Sequence, residues 1–269
     1  MMRTLLGGVG ITALLIAAPL STANAADMPL KAPPIVAAPA FSWTGCYIGA
    51  HAGYGWGRNT NEFGNAIASG ATEIEGFPAE FGPFNHNTSG GVAGGQAGCN
   101  YQPSPNWLIG VEGELFWSGI KGSSTDLEDG ADPGTFSRFQ SSNRWDGDFA
   151  LRAGFVSGVE LFYGKVGVAV GSFRYTETHD DFPTTHSCFL IAPGSGTCSA
   201  TFNNTRAGLL LGAGWEHAFI GTHWSFKIEY DYINYGSTTI PYPSAAAAIQ
   251  NFSVKDTKQI VKVGVNFRL

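Results

Sequence analysis

Charged residues are scarce in this chain of 269 residues: Asp, Glu, Lys and Arg together make up 13% of it, against about 25% in an ordinary soluble domain. Their balance is acidic, with a formal net charge of −6 at pH 7, which argues against a nucleic-acid partner. Long hydrophobic runs are also missing beyond the first 25 residues, where the best stretch is AGLLLGAGW. These shortages argue against a soluble enzyme and against a membrane protein built from helices.

The sequence also lacks the short motifs of familiar catalytic and metal sites. It contains no HExxH, no phosphate-binding P-loop, no GxSxG and no CxxC or Cys–His pair with zinc spacing. We therefore predict no catalytic residue, no cofactor and no metal ion for this protein.

The N-terminus carries the pattern of an exported protein. Residues 1–25, MMRTLLGGVGITALLIAAPLSTANA, combine a basic start, an apolar stretch and a small-residue end, which predicts a signal peptide cut after Ala25. A membrane anchor is the alternative, but the apolar run is short for a span. Residues 26–42 contain four prolines and predict a flexible periplasmic linker.

Eight segments after this linker alternate between two residue types with a period of two, which predicts β-strands. They are nine to fourteen residues long and cover 43–56, 90–102, 107–117, 145–155, 161–171, 205–217, 224–232 and 257–269.

All charged side chains of these segments fall in one phase of the alternation, and the other phase is uncharged. The acids are Glu112, Glu114, Asp146, Asp148, Glu216, Glu229 and Asp231, and the bases are Arg152, Lys165, Arg206, Lys227, Lys258, Lys262 and Arg268. Seven acids balance seven bases, so we predict a paired network. Neighbouring strands can bring Glu112 and Glu114 close to Arg152, and Glu229 and Asp231 close to Lys262.

The same separation of faces would suit a soluble β-sandwich, but other features favour a closed membrane barrel. The segments have the length of tilted membrane strands, whereas soluble strands average about five or six residues. The charged phase is rich in glycine, including Gly49, Gly94, Gly167 and Gly264, as the crowded lumen of a small barrel requires.

Tryptophan and connection length point the same way. Six of seven tryptophans lie on the apolar phase near segment ends, where rings form girdles at the headgroup level; they are Trp56, Trp107, Trp117, Trp145, Trp215 and Trp224. Trp43, on the other phase, does not fit. Long connections (57–89, 118–144, 172–204, 233–256) alternate with short ones (103–106, 156–160, 218–223). We predict an all-β fold, an eight-stranded antiparallel up-and-down transmembrane β-barrel over 43–269, with its long loops outside the cell.

The cysteines can be placed on this barrel. Counting back along the first hairpin puts Cys46 across from Cys99 on the lipid-facing phase, near the separation that a disulfide needs. The alternative is that both are small apolar side chains in the lipid-facing belt. Cys188 and Cys198 would then pair with each other and close the third outer loop.

Several stretches together resemble one family. They are AADMPLKAPP, FSWTGCYIGAHAGYGWG, GGVAGGQAGCNYQ, IGVEGELFW and the terminal VGVNFRL. On these the chain resembles, over essentially its whole length, the small outer-membrane β-barrel (outer-membrane immunogenic, porin-like) proteins of alphaproteobacteria, which are similar to the OmpA-type transmembrane barrel. The resemblance implies a bacterial outer-membrane location and a surface-exposed, often antigenic protein. It also implies a C-terminal strand recognised by the barrel-assembly machinery, here through Val265, Phe267 and Leu269.

Three functions remain open on this evidence. The first is a non-catalytic structural and surface component of the cell envelope that contacts lipid and lipopolysaccharide. The second is a narrow porin-like channel, which is disfavoured because eight strands enclose little more than their own side chains. The third is a barrel that binds a ligand or haem, or carries an enzyme site, among its long loops. The sequence assigns no oligomeric state.

Overall fold

The computed structural model describes residues 41–68, 85–127, 136–180, 197–243 and 248–269. The predicted signal peptide, nearly all of the predicted linker and Cys188 lie outside the described residues, so these predictions remain predictions. None of the described ranges contains a helix with the length and apolar character of a membrane span.

Nine β-strands make up the described chain. They are β1 (Gly45–Ala68), β2 (Asn85–Ser104), β3 (Trp107–Ser118), β4 (Lys121–Leu127), β5 (Phe136–Ser157), β6 (Glu160–Asp180), β7 (Thr197–Ala218), β8 (Trp224–Pro243) and β9 (Ala248–Arg268). β3 and β4 occupy one position in the sheet, because both pair with β5 and only Gly119 and Ile120 separate them.

The strands close into a ring of eight positions. The order around the sheet is β1-β9-β8-β7-β6-β5-β3-β2, and β1 also pairs with β2. All neighbouring pairs are antiparallel. A closed ring leaves no strand edge unpaired, which is the condition for crossing hydrocarbon with β-structure. The predicted eight-stranded up-and-down barrel is confirmed.

The strands are longer than predicted, and the predicted long loops therefore contain too many residues. β1 has 24 residues, and β5 and β7 have 22 each. Beyond the tryptophans the outward side chains meet water, so polar residues replace apolar ones and the hydrophobic alternation fades while strand pairing continues. Thr176 and Thr201 show this: they face each other across β6 and β7, and their hydroxyl oxygens lie 3.2 Å apart.

The two ends of the barrel differ in their connections. Tight turns at 105–106, 158–159 and 219–223 lie at one end, called the turn end below. The strand ends joined by residues 69–84, 128–135, 181–196 and 244–247, which lie outside the described residues, define the other end, called the loop end. Gly158 and Gly221 adopt φ values of 63° and 78° in these turns, in the left-handed region where glycine is favoured over other residues.

The outward face between the two ends is apolar. Leu115 and Phe149 are 65% and 62% exposed there, as side chains that face lipid should be. Five of the six predicted girdle tryptophans are exposed on this face, and Trp215 is half-buried. Trp107 and Trp117 mark the two girdles on β3. Ten residues apart, they span roughly 34 Å along the strand, and thus about 25 Å of height at the tilt usual for such barrels.

The inward face is packed in layers. At the turn end a group called the turn-end plug fills the lumen: Trp43, Leu108, Val156, Leu161, Tyr163 and Ala218. Trp43 is 2% exposed, and its indole N–H donates to the carbonyl oxygen of Gly158 at 3.3 Å, which explains why this tryptophan breaks the girdle phase. Along β3 the charged Glu112 and Glu114 follow the plug residue Leu108, and then the buried Phe116 begins an apolar and aromatic layer.

Candidate functional site: the charged interior

The middle of the lumen holds a group of charged side chains called the central cluster. Its members are buried and come from β3, β5, β6, β7, β8 and β9: Glu112, Glu114, Asp148, Arg152, Lys165, Glu216, Lys227, Glu229, Asp231 and Lys262. The alternation of strand residues sends all ten inward, because each lies in the same phase as the buried residues of its own strand.

Three lysines hold the carboxylates of this cluster together. Lys227 Nζ lies 2.9 Å from Glu114 Oε1, 3.4 Å from Glu112 Oε2 and 3.5 Å from Glu229 Oε2. Lys262 Nζ lies 2.8 Å from Glu229 Oε1 and also pairs with Glu114. Each ammonium group therefore neutralises several carboxylates at once, and the cluster is a connected network rather than a set of isolated pairs.

Lys165 occupies the most acidic position. Its Nζ lies 2.9 Å from Glu229 Oε1 and 3.5 Å from both Glu112 Oε1 and Glu114 Oε1. Asp231 Oδ1 follows at 3.7 Å and Asp148 Oδ1 at 4.0 Å. Five carboxylates share this one ammonium group, so its positive charge stabilises the two more distant ones, Asp231 and Asp148, only weakly.

Arg152 joins the central cluster to the turn-end plug. Its guanidinium group lies 3.2 Å from Glu112 Oε2 and 3.1 Å from Glu216 Oε2, and its Cζ lies 3.9 Å from the centre of the Tyr163 ring. Tyr163 in turn donates its hydroxyl hydrogen to Glu229 Oε2 at 2.7 Å, and Tyr47 donates to Glu112 Oε2 at the same distance. A buried guanidinium with two carboxylates and an aromatic face is held in one orientation.

Three of these carboxylates have a spacing that could also suit a cation. Glu112, Glu114 and Glu229 place one oxygen each within 4.8 Å of one another. Lys165 and Lys227 each lie within ion-pair distance of all three. The site is therefore already occupied by ammonium groups of the chain itself.

A second set of charges lies nearer the loop end, among the rings of the aromatic layer. Lys258 Nζ lies 2.7 Å from Asp146 Oδ1, which also accepts from the Tyr235 hydroxyl at 2.6 Å. Arg206 pairs with Asp256, whose Oδ2 accepts from the Tyr175 hydroxyl at 2.7 Å. Along β9 the buried Ile260 lies between Lys258 and Lys262 of the central cluster, whereas on β5 Asp146 is two residues from Asp148.

The structure brings together thirteen of the fourteen charges predicted to share the lumen. Arg268 is the exception and corrects the prediction. It is half-buried at the turn end, where its guanidinium group donates to the Ser42 carbonyl oxygen at 2.7 Å and lies over the Phe41 ring. Among the described residues no carboxylate lies within ion-pair distance of Arg268, and Glu216 is the one member of the central cluster that interacts with it electrostatically.

Asp256 lies one residue before the predicted last strand, 257–269, and is therefore absent from the predicted set of lumen charges. The sequence does contain a signal that places Asp256 in the lumen, because Asp256, Lys258 and Lys262 lie in one phase of the same alternation. With Asp256 counted and Arg268 left out, the described interior holds eight carboxylates and six cations, rather than seven of each.

The excess acidity falls on two aspartates. Both side-chain oxygens of Asp148, and Oδ1 of Asp231, are buried without a hydrogen-bond partner among the described residues. Asp231 Oδ2 pairs with Lys262 at 2.6 Å, whereas the nearest cation to Asp148 is Lys165 at 4.0 Å. Asp148 is therefore the least satisfied member of the central cluster.

Five other predicted positions lie on the outward face. The register of β1 and β2 places Cys46 opposite Cys99, and a disulfide joins them. Val265, Phe267 and Leu269 are all exposed at the turn end of β9. Cys198 lies in β7, but its predicted partner Cys188 falls outside the described residues.

A ring of eight antiparallel strands with an apolar outward face, tryptophans at both edges of that face and a charged interior defines a transmembrane β-barrel. The chain belongs to the family of outer membrane protein beta-barrel domains, whose profile matches residues 12–268. It is an outer-membrane protein.

Curated relatives cover most of this chain and of their own length. The chain is 29% identical to the 31 kDa outer-membrane immunogenic protein of Brucella melitensis over 261 residues, which cover 92% of this chain and 94% of that protein. It is 28% identical to the 25 kDa outer-membrane immunogenic protein of Brucella abortus, covering 99% and 100%. The 22 kDa outer membrane protein of Rhizobium leguminosarum is 26% identical, with 86% and 80% covered.

Among solved structures, the chain is similar to the outer membrane protein OprG from Pseudomonas aeruginosa. The identity is 12%, the TM-score is 0.43, and the alignment covers 84% of this chain and 97% of that one.

Proposed function

We propose that this protein is a non-conducting, non-catalytic barrel that serves as a structural and surface-exposed component of the outer membrane. Its loop end faces the outside of the cell, and its turn end, with both termini, faces the periplasm. The observation that carries the proposal is the filled interior, in which apolar and charged layers follow one another from the turn end to the loop end.

The filled lumen is the argument against a channel. Lys227 and Lys262 of the central cluster are 0% exposed, and Leu161 of the turn-end plug is likewise 0% exposed. An ion passing through would have to displace side chains that are bound to each other in both layers. Eight strands leave no spare width around such side chains.

The interior chemistry also favours a structural role over catalysis. Glu112, Glu114 and Glu229 are bound by lysines in the centre of the lumen, beneath the aromatic layer, where no substrate of ordinary size would reach them. The names of the Brucella relatives, outer-membrane immunogenic proteins, suggest that this barrel too is seen at the cell surface. During biogenesis Phe267 and its outward neighbours on β9 would be read by the barrel-assembly machinery, and lipopolysaccharide would surround the outer half of the folded protein.

Conductance in planar lipid bilayers tests the proposal. The purified mature protein should give no stable current steps, under conditions in which a general porin gives large ones. A Trp43→Ala variant should also stay closed, because removing part of the plug leaves the central cluster in place. The matched control is Trp224→Ala on the outward face. Steady, reproducible steps from the unaltered protein would replace the structural proposal with the channel.

A further inference from the structure

The exposed charged side chains that the structure describes have one sign. Among the side chains that the structure describes, every exposed charged residue is a cation: Arg58, Lys121, Arg138, Arg144, Arg174 and Lys255. The described carboxylates are buried or half-buried, and the single half-buried one outside the lumen, Glu160, lies at the turn end. All six exposed cations lie on the loop-end parts of their strands.

Three of these cations form a group on neighbouring strands, called the cation cluster. Lys121 of β4 pairs in register with Ser142 of β5, and Ser142 pairs with Arg174 of β6. Arg144 lies two residues along β5 from Ser142, at an irregularity that leaves it outside the register with β6. Such an irregularity re-aims a side chain relative to the regular strand. Lys121, Arg144 and Arg174 are therefore presented together around one serine.

The cation cluster lies directly beyond the tryptophan girdle. Trp117 of β3 and Trp145 of β5 face each other in register, and Ser172 of β6 faces Trp145. Arg144 is the residue next to Trp145, and Arg174 lies two residues beyond Ser172, roughly 7 Å further along the strand. Because tryptophans of membrane barrels lie at the headgroup level, these cations reach the headgroups themselves.

The described carboxylates do not pair with these cations. Among the described side chains, none places a carboxylate within ion-pair distance of Lys121 or Arg144. The guanidinium Nε of Arg174 donates to Asn203 Oδ1 at 3.1 Å, which leaves its terminal nitrogens directed elsewhere. Exposed charges of this kind contribute little to stability, so their grouping calls for a ligand rather than a role in folding.

We propose that Lys121, Arg144 and Arg174 bind a phosphate group of a lipid in the outer leaflet. Guanidinium groups bind phosphate oxygens in pairs, and a lysine adds a point charge. The proposal rests on the proposed orientation, which places the loop end in the outer leaflet, and it names the residues by which the barrel would hold a phosphorylated lipid.

Lipid binding to the intact, mature protein in detergent micelles tests this site. The probe is lipid A, and the matched probe is the same lipid A with its phosphates removed; bound lipid is counted by native mass spectrometry. Each single Lys→Gln or Arg→Gln change in the cation cluster should weaken binding of phosphorylated lipid A roughly fivefold, and the triple change roughly a hundredfold. The control is R58Q/R138Q/K255Q, which removes the same charge elsewhere on the exposed face and should change binding less than about threefold.

Three results would overturn the lipid site. One is equal binding of the two lipid A probes by the unaltered protein, another is equal loss in the two triple variants, and the third is release of lipid A by an equal concentration of inorganic phosphate. An epitope tag inserted near Ser195 separates this failure from a failure of the proposed function. If the tag is labelled on intact cells while lipid binding fails, only the lipid site is wrong; if the tag is hidden until the cells are permeabilised, the orientation itself is wrong.

Discussion

Strand β5 carries arginines on both of its faces, and their surroundings are opposite. Arg152 is buried in the lumen between two glutamates and an aromatic ring. Arg138 and Arg144 are exposed on the outward face beyond the girdle. The same side chain is thus part of the barrel's framework at one position and a surface group at the others. What decides between the two roles is the position relative to the membrane and the face of the strand.

The membrane accounts for this division. An outward charge at the middle of the bilayer costs about 2–4 kcal/mol, so charged residues between the girdles are placed inward. In a narrow lumen they cannot keep their full hydration, and each must be paired with opposite charges. Beyond the girdle the outward face meets headgroups and water. A cation there neither faces hydrocarbon nor needs a carboxylate partner. We expect interior charges to control stability and exterior charges to control binding.

The largest expected effect is the loss of Arg152. Arg152→Ala removes the cation shared by Glu112 and Glu216 and leaves both carboxylates buried, so the free energy of unfolding should fall by about 3–5 kcal/mol. The measurement is the urea midpoint of the protein in lipid vesicles, with the slope of the transition checked for each variant.

The matched control for this prediction is Arg138→Ala, the same substitution on the same strand but on the exposed face. It should change the free energy of unfolding by less than about 0.5 kcal/mol. Equal midpoints for the two variants would show that the interior charges are solvated rather than paired, and the distinction between the two faces would be lost.

Residue patterns along the chain were enough to predict the barrel, because lipid imposes the same alternation on every strand between the girdles. The Cys46–Cys99 contact was predictable as well, because counting residues back along both strands of the first hairpin gives the register of β1 against β2. The strand extensions could not be predicted from hydrophobic alternation, because outside the membrane that alternation disappears.

Individual partners inside the lumen were harder to predict than the lumen itself. Arg268 lies in the predicted phase of β9 but donates to the Ser42 carbonyl oxygen at the turn end instead of pairing with an acid. The phase of a strand residue does not tell how far along the barrel axis its side chain lies. Glu114 was expected near Arg152 and instead binds Lys227 and Lys262, whose long side chains extend across the lumen to it. Pairing across a lumen depends on side-chain reach, which is a three-dimensional property.

The disulfide is expected to have the next largest effect, and it tests whether the outward face contributes to stability. Cys46 and Cys99 are separated by 53 residues, and a cross-link over such a loop stabilises by about 2–4 kcal/mol. Replacing both with alanine should lower the urea midpoint accordingly, since alanine leaves the lipid-facing surface apolar. Peptide mapping without reductant should recover the two cysteines of the unaltered protein in one linked peptide. Two free thiols, or an unchanged midpoint in the alanine variant, would contradict the prediction.

The smallest expected effect has the opposite sign and concerns the least satisfied charge of the central cluster. Asp148 has no hydrogen-bond partner among the described residues, and its nearest cation, Lys165, has four closer carboxylates. Asp148→Asn keeps the shape of the side chain and removes one of the two excess negative charges, so it should raise the free energy of unfolding by up to about 1 kcal/mol. The control is Asp146→Asn on the same strand, which weakens the ion pair with Lys258 and should lower that free energy by about 1–3 kcal/mol. If Asp148→Asn destabilises the barrel as much as Asp146→Asn does, Asp148 has a cationic partner of its own, and the interior is as fully paired as the fourteen charges were first expected to be.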